Sequence, residues 1–149
     1  MRKKLLVVED NIEMLRLLRL SFKRAGFSIA TATNGIEALK KARSVSPDLI
    51  VLDLILPELD GFAVCETLRK AAPTKSIPII ILTGLTSEFT RLAGMEAGAT
   101  EFVNKPVSPQ HLISRIEGLL ARGGQLAVKA AKRELAGESA EVPAAHQSA

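Results

Sequence analysis

Three short runs, "LLVV" at 5–8, "LIVL" at 49–52 and "IPIIIL" at 77–82, are apolar at every position. A strand with one face in water alternates apolar and polar residues, whereas a run that is apolar throughout must be covered on both faces. Covering both faces of a sheet requires helices on each side, so the chain between the runs has to be helical and amphipathic. The spacing predicts that pattern. After Leu5–Val8, the residues Ile12, Leu15, Leu18 and Phe22 recur at helical spacing as one buried stripe, and Gly26 supplies the stop after Ala25. Phe27–Ala32 reads as a second strand. A second helix opens at Asn34–Gly35 and runs to about Val45, with Ile36, Leu39 and Ala42 on its buried face and Pro47 beyond its end. Leu49–Asp53 is the third strand and about Phe62–Ala71 the third helix. Ile77–Leu82 is the fourth strand, followed by a helix over about Ser87–Ala97 that Gly98 stops. Thr100–Val103 is a short fifth strand. Ser108 then caps a fifth helix with Pro109 at its first position, running to about Arg122.

Five such βα units in succession predict an α/β fold, an open doubly wound five-stranded parallel sheet with five helices. In these sheets ligands bind beyond the carboxyl ends of the strands. The residues at those ends are Glu9 and Asp10 after strand 1, Asp53 after strand 3, Thr83 and Gly84 after strand 4, and Lys105 and Pro106 after strand 5. Three carboxylates, a hydroxyl and a lysine therefore converge on one edge. Three acids without a counter-ion raise one another's pKa, and a hard divalent cation such as Mg2+ resolves the conflict with oxygen ligands and retained water. Asp53 then stays ionised and is able to act as a nucleophile toward a phosphoryl group. The cation and Lys105 would neutralise the oxygens of that group. The Thr83 hydroxyl and the Gly84 N–H would hydrogen-bond it, and Gly84 carries no side chain to obstruct its approach.

Composition narrows the alternatives. No apolar run approaches the roughly 20 residues of a membrane span, and the basic-then-apolar start "MRKKLLVVEDN" is too short in its apolar part for a signal peptide; a cytosolic chain is expected. One cysteine, Cys65, excludes an internal disulfide and a Cys-rich metal site, and its apolar neighbours at helical spacing make it a small core residue. The net charge of +4 is spread along the chain, and with no Trp or Tyr there is no basic patch interleaved with stacking aromatics, so DNA binding is not expected. His111 and His146 read as surface residues. From Gly123 the sequence is Ala-rich; Gln125–Leu135 has the composition of a helical extension and the end after Gly137 that of a disordered tail.

Four patches together, "VVEDN" at 7–11, "DLIVLDLILPELDG" at 48–61, "IPIIILTG" at 77–84 and "GATEFVNKPVSP" at 98–109, resemble the receiver domain of two-component response regulators. The likeness covers about residues 3–122, leaving 123–149 as a tail. It implies a flavodoxin-like, CheY-like sheet of order 2-1-3-4-5. It also implies that Asp53 accepts a phosphoryl group from a partner histidine kinase or phosphotransfer protein. Asp10, Asp53 and the Ile55 carbonyl would hold Mg2+ directly, and Glu9 through water. Thr83 and Lys105 would contact the phosphoryl group, the bond before Pro106 would be cis, and Phe102 would be an aromatic switch that turns inward as Thr83 moves. A downstream protein would then read helix 4, strand 5 and helix 5.

The chain departs from the family pattern at named positions. Ile55 is apolar where the family is often polar, so it cannot position a hydrolytic water, and slow self-dephosphorylation is expected. Phe102 has no hydroxyl. The wording "DGFAVCETLR" and "KPVSPQHLISRI" is most similar to receivers that carry a winged-helix DNA-binding domain, which this sequence lacks, so a stand-alone receiver is expected. Those receivers pair through charges; Arg91, Glu101 and Arg115 are in place, but Thr100 and His111 replace acids, which leaves dimerisation open. An aspartyl-phosphate phosphatase would need an acid at position 55, and a nucleotide binder would need a glycine loop where "VVEDNIEM" stands. Two alternatives stay open: a phosphorelay or phosphate-sink component, and a DNA-binding regulator working through the basic tail.

Overall fold

The computed structural model describes residues 2–85 and 87–135, with side chains to residue 123; the expected disorder after Gly137 and the position of His146 lie outside them. Two compact units divide the chain, one ending at Ile116 and the other beginning at Glu117. The first contains β1 (Lys4–Val8), α1 (Ile12–Arg24), β2 (Ser28–Ala32), α2 (Gly35–Val45), β3 (Leu49–Asp53), α3 (Gly61–Lys70), β4 (Ile79–Thr83), α4 (Glu88–Glu96) and β5 (Glu101–Asn104). α5 begins there at Pro109 and is helical to Leu135. It thus runs on past Arg122 and takes in the helical extension expected over Gln125–Leu135, an Ala-, Leu- and Lys-rich stretch that favours helix.

All strand pairs are parallel and the order is β2-β1-β3-β4-β5, with the reversal between β1 and β3. The core explains the apolar runs. Leu6, Val8, Ile50, Leu52, Ile79 and Ile81 join one cluster with Ala38 and Ala42 of α2 and Val64, Cys65 and Leu68 of α3. The alternate residues Leu5, Val7, Leu49, Val51, Ile80 and Leu82 are buried as well and point to the other face. Cys65 is a buried core thiol, as expected.

Each helix opens on a side chain that accepts a backbone N–H in its first turn: Asn11 from Met14, Asn34 from Glu37, Asp60 from Ala63, Ser87 from Thr90 and Ser108 from His111. Two predicted faces are corrected. Ile12 is 55% exposed, because at the first turn of α1 the buried stripe starts only at Leu15. Ile36 is 46% exposed, and α2 buries Gly35, Ala38 and Ala42 instead. Small residues let α2 approach closely, and the helix turns that side inward at the expense of the larger isoleucine. Strand 4 starts at Ile79 rather than Ile77, since Ile77 closes a turn with its N–H on the Thr74 carbonyl and Pro78 has no N–H to donate.

Candidate functional site

The register sets the strand ends flush. Val8 pairs with Ala32 and Leu52, Asp53 with Leu82, and Thr83 with Asn104. The ladder continues one residue further: the Glu9 N–H bonds the Ala32 carbonyl at 3.0 Å, the Leu54 N–H the Leu82 carbonyl at 3.2 Å, and the Lys105 N–H the Thr83 carbonyl at 2.6 Å. Sheet hydrogen bonds therefore hold the backbone on which the site residues stand.

Glu9, Asp10 and Asp53 come together there, each offering a carboxylate oxygen within 4.8 Å of the others. Glu9 and Asp53 are buried, at 2% and 6% exposure, while Asp10 is exposed. Lys105 bridges the two buried acids, its Nζ 2.9 Å from Glu9 Oε1 and 3.1 Å from Asp53 Oδ2. The second oxygen of each acid takes a backbone donor: the Asn11 N–H bonds Glu9 Oε2 at 3.1 Å, and the Ile55 N–H bonds Asp53 Oδ1 at 3.3 Å. Burial pushes the Glu9 carboxyl above the usual range, against the pull of Lys105 and the Asn11 N–H. Burial works against the Lys105 ammonium too, but Glu9 and Asp53 outweigh it and hold its pKa above that of a free lysine. One lysine facing three acids leaves negative charge in excess. The oxygen-only donor set, with one acid open to solvent, suits a small hard cation that retains water.

Thr83 is fully buried, and its Oγ1 accepts the Leu85 N–H at 3.1 Å. A side chain at Gly84 would project into open space, with nothing within 4 Å, so the edge above β4 is clear. Ile55, whose N–H reaches Asp53, is 60% exposed, and Leu85, whose N–H reaches Thr83, is 46% exposed. The Lys105–Pro106 peptide bond is cis. Phe102 is half-buried against the core cluster. Arg115 pairs with Glu101 within the chain.

Two residues of this edge carried no signal beyond their type. Gly61, the first residue of α3, donates its N–H to the Leu54 carbonyl at 2.8 Å, and an added Cβ would stand 2.6 Å from the Asp53 carbonyl oxygen. Its place at the end of "LDG" hints at a turn but not at that contact. Leu85 follows Gly84 in the loop after β4, and its N–H bond to Thr83 Oγ1 depends on a backbone path that the sequence does not display.

Residues 5–117 match the family described as "Response regulator receiver domain". The alkaline phosphatase synthesis transcriptional regulatory protein PhoP of Bacillus subtilis (strain 168) is 43% identical over 122 residues, covering 82% of this chain and 50% of PhoP. The chain spans about half the length of such relatives. Among solved structures, the receiver domain of Francisella response regulator 1452 superposes with a TM-score of 0.77 at 31% identity, covering 82% of this chain and 99% of that one. The chemotaxis response regulator CheY4 of Vibrio cholerae superposes with a TM-score of 0.75 at 32% identity, over 78% of this chain and 98% of that one. No helix among the described residues is long and apolar enough to cross a membrane.

Proposed function

The chain belongs to the response regulator receiver domain family, and from that premise we propose that Asp53 is its phosphoacceptor, charged by a histidine kinase or a phosphotransfer protein in the cytoplasm. The observation that carries this reading is the Asp53 carboxylate itself. It is buried at the end of β3 and held from both oxygens, by the Lys105 ammonium and the Ile55 N–H, beside Glu9 and Asp10.

In the reaction, one Asp53 oxygen attacks the phosphorus of the donor. The donor's bond to phosphorus breaks, and its nitrogen or oxygen leaves with the electron pair. The product is a mixed anhydride on Asp53. Lys105 faces the same carboxylate and meets the charge of the incoming group as a fixed cation. The Thr83 hydroxyl and the Gly84 N–H stand at the neighbouring strand end, where the clear space above Gly84 admits the phosphoryl oxygens. Asp10, Asp53 and the Ile55 carbonyl would hold Mg2+, with Glu9 in support; when bound, it supplies positive charge to the transferring group. Ile55, exposed two residues after Asp53, offers no polar group to orient water, so the anhydride persists. Its presence is read by a partner protein on α4, β5 and the first turns of α5.

Incubation with acetyl phosphate and Mg2+ tests the reading. The wild-type chain gains one phosphoryl group, and chelation of the cation or Asp53→Asn prevents it. Uptake that continued in Asp53→Asn would overturn the assignment.

A further inference from the structure

The loop between Asp53 and α3 is tied down at both ends. The Leu54 N–H bonds the Leu82 carbonyl at 3.2 Å, and the Leu54 carbonyl takes the Gly61 N–H at 2.8 Å. At the far end Asp60 caps α3, its side chain accepting the Ala63 N–H at 2.9 Å and its carbonyl the Val64 N–H at 3.0 Å. Between these ties the backbone turns sharply. The Leu59 N–H bonds the Pro57 carbonyl at 2.8 Å, and Glu58 between them has φ +69°. A left-handed residue with a side chain costs free energy and persists only where its surroundings hold it. Leu56 is buried, and Leu59 packs half-buried against the core cluster.

The remaining support comes from another element. Gly35, the buried first residue of α2, lies against Leu59. A Cβ on Gly35 would collide with the Leu59 carbonyl oxygen, and it would stand 2.8 Å from Leu59 Cβ and 2.9 Å from Val64 Cγ2. The start of α2 cannot retreat from that collision. Asn34 Oδ1 accepts the Glu37 N–H at 2.8 Å, and Glu37 Oε1 accepts the Thr33 N–H at 2.9 Å, which pins the helix to the chain leaving β2. A displaced Leu59 therefore moves the segment between the two ties. Ile55 is in that segment, and its N–H is the donor on Asp53 Oδ1.

We infer that Gly35 is a positioning residue for Asp53: its missing side chain seats Leu59, and that seat sets where the loop presents the Ile55 backbone to the carboxylate. The consequence for a cation held by Asp53 and the Ile55 carbonyl rests on the reading of Asp53 given above; the seat itself does not.

The test follows the backbone amide resonances of the isotopically labelled full chain as Mg2+ is added. Before any cation, Gly35→Ala has to shift the Ile55 amide resonance and speed its exchange with solvent, because its bond to Asp53 is lost. Mg2+ binding then has to weaken by about tenfold or more, the usual cost of disturbing a group that supports a metal ligand. Leu59→Ala keeps Gly35 and removes the side chain packed on the core; it has to act in the same direction, and it decides the matter if Gly35→Ala does not fold. Phe22→Leu, buried in α1 outside that core cluster, has to lower Tm while leaving the Ile55 amide and the Mg2+ affinity at their wild-type values. Wild-type Ile55 exchange in a folded Gly35→Ala or Leu59→Ala, or the same loss of affinity in Phe22→Leu, would overturn the proposal. A wild-type chain that bound no Mg2+ and took up no phosphoryl group from acetyl phosphate would instead end the reading of Asp53 as phosphoacceptor, and the Ile55 amide alone would still judge the seat.

Discussion

Lys105 has to neutralise two buried carboxylates at once, and this sets the energetics of the site. Removing the ammonium strands Glu9 and Asp53 away from water, and an uncompensated buried charge costs about 1–3 kcal/mol or more. In cation-free buffer Lys105→Met should therefore lower stability at neutral pH by about that amount. The sign of the pH dependence follows from Glu9, whose folded pKa is already raised by burial. A raised acid loses its contribution as pH rises, so the deficit of the variant should shrink on acidification, when Glu9 protonates. Denaturant titrations of both chains at several pH values check this, and a deficit that grew toward low pH would contradict it. Ile55 makes a kinetic prediction at the same scale. Ile55→Asn should speed loss of the phosphoryl group by about tenfold or more, since a polar side chain there is able to orient water; an unchanged decay rate would refute it. Asp53, Glu9, Asp10, Thr83 and Lys105 were legible because parallel strands send their carboxyl ends to one edge. The depth of Glu9 and its direct bond to Lys105 were not legible, because strand position gives an edge and not a burial.

Elements meet this edge through glycines, and two of them make opposite predictions. A Cβ at Gly61 would press on the Asp53 carbonyl oxygen at 2.6 Å and the Leu54 Cα at 2.8 Å. Gly61→Ala should cost about 1–3 kcal/mol, because both neighbours are backbone and cannot swing aside. Gly84→Ala meets nothing within 4 Å and should leave stability near wild type, while slowing phosphoryl uptake by filling the clear space above β4. Thermal unfolding and uptake rates of the two variants should separate in that way; a stable Gly61→Ala would remove the close contact from the account. The same physics explains where helix faces were misjudged. Periodicity ranks a large isoleucine above Gly35 or Ala38, yet α2 packs through its small residues and exposes Ile36. Strand runs and cap residues depend on local chemistry and were readable; helix rotation depends on what lies opposite and was not.

On the scale of the molecule, the succession of five βα units made a parallel sheet legible, the resemblance to receiver domains implied its order, and the reversal between β1 and β3 places the acids at the crevice edge. The match spans about half the length of the relatives, so the likeness bears on the receiver. The central claim is chemical: a phosphoryl group carried as a mixed anhydride on Asp53. Borohydride reduces such an anhydride to the alcohol, converting that aspartate to homoserine. After incubation with acetyl phosphate and Mg2+, borohydride treatment and peptide mapping by mass spectrometry should find homoserine at position 53. Homoserine at position 10, or at no position in a chain that has taken up phosphate, would contradict the account.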